Sequence, residues 1–477
     1  MAWDRARAHR TAYERNAPAP GLVDQAMANS RHAVFWLEDA TLPQHPPLTA
    51  SSTADLVVVG GGYLGLWTAV QARRRNPGAR VVLLEGESLG WAASGRNGGF
   101  CEASLTHGED NGRARWPEEY DLLERLGEEN LDAFEADVAA LDLDCDWERT
   151  GALAIAVEDH QVAWLSEGAT AQDPVLDTAA IRAEIDSPLF LAGSWDRSGC
   201  AMLHPAKLVA GLARAAADLG VEIHEHSTVL GVERDGARVR VSTPRATISA
   251  ERVALATNVF PALLRRNRLM TVPVYDYVVM TEPLTTEQVA AIGWTHRQGW
   301  SDLANQFHYV RLTADDRILF GGYDAIYRAG GRVRPAYEER EDTWRRLTAH
   351  LLATFPQLAG IGITHTWAGA IDTCTQFAAF HGLAMGGRVA YAAGFTGLGV
   401  GATRFAAEVM LDRLEGRETE RTALDMVRRR PLPFPPEPLA AVGINLTRWS
   451  LDRADHRRGE RNLFLRGLDA VGLGFDS

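Results

Sequence analysis

Asp55-Leu56-Val57-Val58-Val59-Gly60-Gly61-Gly62-Tyr63-Leu64-Gly65 decides the fold. Residues 55–60 are a short, continuous apolar run ending in glycines, the pattern of a strand buried on both faces. Residues 64–75 read as a helix, and Arg80–Glu85 as a second buried strand, which completes a βαβ unit. Gly60, Gly62 and Gly65 fall in the G-x-G-x-x-G spacing. Gly60 permits the tight turn, Gly62 lets backbone approach a pyrophosphate, and Gly65 lets the helix lie close to the strand. The helix start at Tyr63 and Leu64 offers free N–H groups and a partial positive charge to phosphates. Glu85, with Gly86 behind it, ends the next strand, where a carboxylate accepts hydrogen bonds from ribose hydroxyls and repels a 2′-phosphate. A dinucleotide site is expected here.

The rest of the composition narrows the setting. At 477 residues the chain can hold two sizeable domains, with 46% apolar and 23% charged residues. A net charge of −13 argues against non-specific nucleic-acid binding. Cys101, Cys145, Cys200 and Cys374 are scattered without a CxxC pair, so no metal site is expected and a reducing compartment suits them. No secretory pattern precedes residue 50, and the most apolar stretch, residues 389–411, is broken by Arg404 and Glu408. The expectation is a cytoplasmic protein with no membrane span; nothing speaks to its oligomeric state.

Along the chain, residues 1–52 read as an N-terminal arm of helical stretches with few apolar positions. Residues 116–142 form an acidic amphipathic helix or two in series. Pro205 opens a helix over 206–219, and a β-meander follows at 229–249, turned by Asp235-Gly236. Strands are expected at 272–283, 306–323 and 388–393, and a last helix over 399–414. The nucleotide-type elements thus recur at 53–105, 200–260 and 365–420, with substrate-domain material at 106–199 and 261–364 and an uninformative tail at 421–477. The fold class is α/β: a discontinuous, Rossmann-like two-dinucleotide-fold domain with an inserted α+β domain.

Ala93-Ser94-Gly95-Arg96-Asn97-Gly98-Gly99 is a polar, Gly-rich loop whose backbone amides make a nest for anions. On this loop the chain resembles the D-amino-acid oxidase (DAO), glycine oxidase and sarcosine oxidase superfamily of FAD-dependent oxidoreductases, within its gamma-glutamylputrescine oxidase-like branch. The resemblance continues through 199–219, Thr228-Val229, 253–258 and 391–400, in the family's order. It implies FAD as cofactor. The loop from Ser94 to Gly99, Val229 and Thr257 would lie against the cofactor, as would Gly394, Gly397, Leu398, Gly399 and Val400, where a helix N-terminus stabilises negative charge on the reduced flavin.

The resemblance also implies the chemistry: oxidation of the C–N bond of an amine or amino acid to an imine by hydride transfer to flavin N5, with O2 as the expected acceptor. A dehydrogenase that passes electrons to a partner, and an inert FAD-binding subunit, remain alternatives. Arg311 presents a planar fork that would bind a substrate carboxylate. Tyr275, Tyr277, His308 and Tyr309 would form an aromatic wall for a cationic amine. His365 stands where relatives attach the flavin covalently. His365, Arg311 and Tyr309 are the expected catalytic group.

Overall fold

The computed structural model describes residues 9–168, 174–470 and 472–474. The outer ends of the arm and tail, at 1–8 and 475–477, lie outside these, as do 169–173 of the inserted material and residue 471. Two sheets organise the chain. The first follows from the glycine-loop segment. Its buried strand, Ser52–Val59, lies between Val81–Leu84 and Thr247–Leu255, parallel to both. Glu222–His224 extends the sheet on one side, and Val389–Ala393 followed by Phe380–Ala384 on the other. Helices Tyr63–Arg75, Pro205–Asp218 and Gly399–Glu415 pack together with buried apolar residues of this sheet in one core. The His204 ring caps Pro205–Asp218 by accepting from Lys207 N at 3.1 Å.

The end of the expected meander, at 249, and the segment that begins at 253 belong to one strand, Thr247–Leu255. Its first half pairs with the hairpin strand Arg238–Ser242, and its second half with Val389–Ala393. The interruption in the apolar pattern is Glu251-Arg252, both exposed at the point where the strand passes between neighbours.

The second sheet runs Arg31–His32, Ile363–Thr373, Val272–Thr281, Ile318–Gly322, His308–Leu312, Gly299–Asp302, Ala152–Ala156, Ala192–Asp196. This corrects the expectation that residue 365 re-enters the nucleotide-type part. Ile363–Thr373 pairs along its length with Val272–Thr281, and only its end reaches the first sheet, where Asp372 Oδ2 accepts from Gly394 N at 2.6 Å.

The arm also needs correction. Ala12, Tyr13, Val23, Ala26, Phe35, Trp36 and Leu48 of the arm are buried. Arg31–His32 adds a parallel edge to the second sheet. Tyr13 donates to Asp302 Oδ2 at 2.5 Å, and Asp302 also bonds His308 Nδ1 at 2.6 Å, whose other nitrogen lies 2.9 Å from His350. A buried polar group must find partners, so this network fixes the arm to the sheet. Trp36 donates to Asn97 O at 2.9 Å, tying the arm to the Gly-rich loop. The four cysteines are free and buried. Among the described residues no helix is long and apolar enough to cross a membrane.

Trp36→Ala is expected to lower stability in urea denaturation by about 3–5 kcal/mol, the usual cost of deleting a buried tryptophan side chain. Flavin affinity should fall with it, because Asn97 loses its anchor. An unchanged unfolding midpoint would show that the arm is accessory.

Candidate active site

A cavity of about 1470 Å³ runs between the two sheets. Single-ligand pockets occupy roughly 300–1,000 Å³, so this space suits a dinucleotide together with a second molecule. One end is lined by Gly60, Gly61, Gly62, Tyr63, Leu64, Glu85, Gly86, Thr228 and Val229. Ser94, Arg96, Asn97, Gly98, Gly99 and Thr257 follow, and then Gly397, Leu398, Gly399 and Val400.

This lining fits FAD on two observations. Helix Tyr63–Arg75 begins at Gly62 and helix Gly399–Glu415 at Leu398, and neither start has a side-chain cap. Tyr63 N donates to Ser94 Oγ at 3.0 Å, and the other first-turn N–H groups, with a positive dipole end, face the cavity at both starts. At the glycine loop, a Cβ on Gly62 would stand 2.7 Å from Ser94 Oγ, so only glycine leaves room there. Glu85 is buried and accepts from Gly61 N at 2.6 Å, Glu87 N at 2.9 Å and Trp91 Nε1 at 3.1 Å. Burial raises its pKa, and these donors oppose the shift.

Three expected cofactor residues are absent from the lining. Gly65 lies behind the loop, where a Cβ would meet Gly60 O at 1.8 Å, so its role is the close helix approach. Gly95 packs against Gly90 O, and Gly394 (φ +79°) against Cys374. These are packing glycines.

The expected catalytic group divides. Tyr309 lines the cavity and donates to the carboxylate of Asp276, which lines it too. Arg311 does not. Fully buried, its Nη1 donates to Leu203 O at 2.6 Å and Gly99 O at 3.3 Å, and its Nε to Leu312 O at 3.0 Å. Gly99 (φ +78°) has no space for a side chain, since a Cβ would lie 2.5 Å from Arg311 Nη1. Burial lowers the guanidinium pKa to about 10, so it stays charged and braces the loop through carbonyls. Two of the three guanidinium nitrogens are thus committed to backbone, and Arg311 lies outside the cavity lining. His365 is also absent from the lining. Its Nε2 lies 2.8 Å from Arg31 and 3.2 Å from Glu38 on the arm, and its Nδ1 meets Thr364 Oγ1 at 2.9 Å. It bonds to the arm, outside the cavity lining.

The aromatic wall is corrected by strand alternation. Val272, Val274, Asp276 and Val278 face the cavity, so Tyr275 and Tyr277 point to the other side of the sheet. Their hydroxyls meet Arg334 N and Tyr337 O. His308 lies buried beneath Tyr323. Asp276 is the residue the sequence reading passed over; counting by two from the cavity-facing valines would have found it. Burial pushes its pKa up to about 6, while the Tyr309 hydroxyl and two backbone N–H groups pull it down. The tail was passed over as well. Leu432, Phe434, Ile444, Thr447, Arg448 and Leu451 close one side of the cavity.

Gly62→Val is expected to abolish FAD binding, and Glu85→Ala to weaken it by about 1–3 kcal/mol through lost charged hydrogen bonds; fluorescence titration of the apoprotein measures both. Arg311→Met should lower thermal stability while leaving relative activity on charged and neutral amines unchanged. Selective loss on carboxylate-bearing amines would return Arg311 to the substrate.

The family of FAD dependent oxidoreductases abbreviated DAO matches residues 55–413. Gamma-glutamylputrescine oxidoreductase of Escherichia coli is 31% identical over 386 residues, covering 77% of this chain and 85% of its own. The probable oxidoreductase OrdL of Haemophilus influenzae is 28% identical over 396 residues, covering 78% and 85%. The crystal structure of glycine oxidase from Geobacillus kaustophilus superposes with a TM-score of 0.64 at 18% identity, over 80% of this chain and all of that one. With the glycine loop, its acidic partner and the two uncapped helix starts on one cavity, this chain belongs to the DAO family of FAD-dependent oxidoreductases.

Proposed function

We propose that this enzyme oxidises the C–N bond of an amine to an imine, which water then hydrolyses, with O2 as electron acceptor. The observation that carries the reading is the Asp276–Tyr309 pair on the cavity wall, beside the Gly98–Gly99 end of the loop. Tyr309 closes on Gly98, where a Cβ would lie 2.8 Å from its ring. Gly60, Gly62, Tyr63, Leu64, Glu85, Gly86 and Val229 would hold the adenosine and pyrophosphate end of FAD. Ser94, Arg96, Asn97, Gly98, Gly99, Thr257 and Gly397–Val400 would hold the rest. When bound, FAD supplies the two-electron acceptor for the hydride.

The protein's part is to bring the amine in neutral form, since an ammonium has no lone pair to support loss of hydride. Asp276 is suited to attract an ammonium and take its proton, because a raised pKa makes it a better base at neutral pH. The valines beside it exclude water and strengthen that attraction.

The relatives' substrates support the same class. One is named for gamma-glutamylputrescine, and the sarcosine oxidase beta subunit of an Arthrobacter species is 26% identical over 360 residues. Anaerobic mixing with a panel of amines and amino acids should bleach the flavin, and air should restore its colour. Bleaching without recovery in air would replace O2 by another acceptor; no bleaching by any amine would contradict the reaction.

Proton transfer to Asp276 requires its ionised form. Activity, as kcat/KM, is therefore expected to rise with pH through about 6, the value to which burial lifts this carboxyl. The Tyr309 hydrogen bond favours the ionised form, so Tyr309→Phe should move that rise to higher pH, and Asp276→Asn should remove it. An acid limb unmoved in both variants would take Asp276 out of the reaction.

A further inference from the structure

Beyond the Asp276–Tyr309 pair, the cavity wall carries Glu102, a second acid with no side-chain partner among the described residues. It ends the short strand Phe100–Glu102 that leaves the Gly-rich loop. Side chains alternate along a strand, so Phe100 and Glu102 share a face. Both line the cavity, while Cys101 between them lies in the core. The Phe100 ring meets Tyr309 edge to face at 6.0 Å. One wall thus runs Asp276, Tyr309, Phe100, Glu102, with a carboxyl at each end.

The surroundings of Glu102 offer no countercharge. Cys200, its partner in the two-stranded ladder, accepts from Gly151 N at 2.9 Å, which brings Ala152 and Ala154 alongside. His107 also lines the cavity, and burial lowers its pKa to about 4, so it is neutral at pH 7. Both arginines of the described lining are engaged elsewhere. Arg96 bonds Glu338 and the carbonyls of Trp91 and Ala368, and Arg448 bonds Asp324 at 2.9 Å. Burial, with Asp196 adding to it, pushes the Glu102 carboxyl up to about 7. Glu102 is half-buried, its carboxyl on the cavity wall without a partner, and a cation brought by a ligand would supply one.

We propose that Glu102 is a specificity-determining residue that binds a second cationic group of the substrate, several carbons from the reacting amine. The inference rests on the amine reading above. Asp276 receives the reacting end and Glu102 the distal one, with the Phe100 and Tyr309 rings along the apolar chain between them. A monoamine of equal length covers Glu102 without pairing it, and sites whose polar groups are covered but unpaired discriminate strongly against such ligands.

Anaerobic calorimetry on the FAD-loaded protein tests this, pairing tetramethylenediamine with butylamine and hexamethylenediamine with hexylamine. At least one diamine should bind about tenfold or more tighter than its monoamine. Glu102→Gln should erase that difference while leaving monoamine affinity and flavin loading unchanged, and Glu102→Asp should retain part of it. Equal affinities in the native protein would overturn the proposal, as would a preference that survives Glu102→Gln. Loss of monoamine binding in both variants would also overturn it, by making Glu102 structural. If no amine binds or bleaches the native enzyme, the amine reading itself fails, an outcome distinct from monoamine binding without preference.

Discussion

The Glu85 carboxylate accepts from Gly61 N, Glu87 N and the Trp91 indole at once, and the cofactor end of the cavity depends on that convergence. It fastens the turn after one strand to the end of the next. Helix Tyr63–Arg75 consequently starts at the cavity, where Tyr63 N meets Ser94 Oγ and the N-cap Gly62 brings no side chain to the rest of the first turn. Hydrogen bonds to a charged acceptor are stronger than neutral ones, which suits a joint that must hold backbone open for an anion. The Gly-rich loop is braced separately, by Trp36 on Asn97 and by Arg311 on Gly99.

Arg311 shows how the two sheets become one site. A guanidinium that donates to Leu203 O, Gly99 O and Leu312 O joins the second sheet to the loop and to the chain leading into helix Pro205–Asp218. The same strand presents Tyr309 to the cavity two residues earlier. One strand therefore both braces the loop, through Arg311 at Gly99, and places the Tyr309 ring against the neighbouring Gly98.

The cofactor side was legible in the sequence because its signals are local: a buried strand, three glycines and an acid one βαβ unit apart. Whether a glycine faces the ligand or the packing behind it was less so. Gly95 and Gly98 stand three residues apart in one loop, and only the fold shows that one packs at Gly90 O while the other lines the cavity. The substrate side was read poorly, for two physical reasons. Arg311 has the chemistry of a carboxylate binder, but burial against carbonyls is a tertiary fact that residue type does not reveal. Tyr275 and Tyr277 are conspicuous aromatics, yet alternation turns them away and leaves the less conspicuous Asp276 facing inward. The arm and the tail lack a periodic apolar pattern because a handful of deep contacts, such as Trp36 and Leu451, is enough to seat a segment on an existing surface.

The central claim is that a single cavity takes FAD along its glycine-lined end and an amine against Asp276 and Tyr309. A crystal structure of the FAD-loaded protein, soaked anaerobically with a bleaching amine, tests it most directly. The account predicts the pyrophosphate at the start of helix Tyr63–Arg75, and the substrate nitrogen within hydrogen-bond reach of Asp276, between that carboxylate and the isoalloxazine. An isoalloxazine lying away from Gly98–Gly99, or an amine bound out of reach of Asp276, would contradict it.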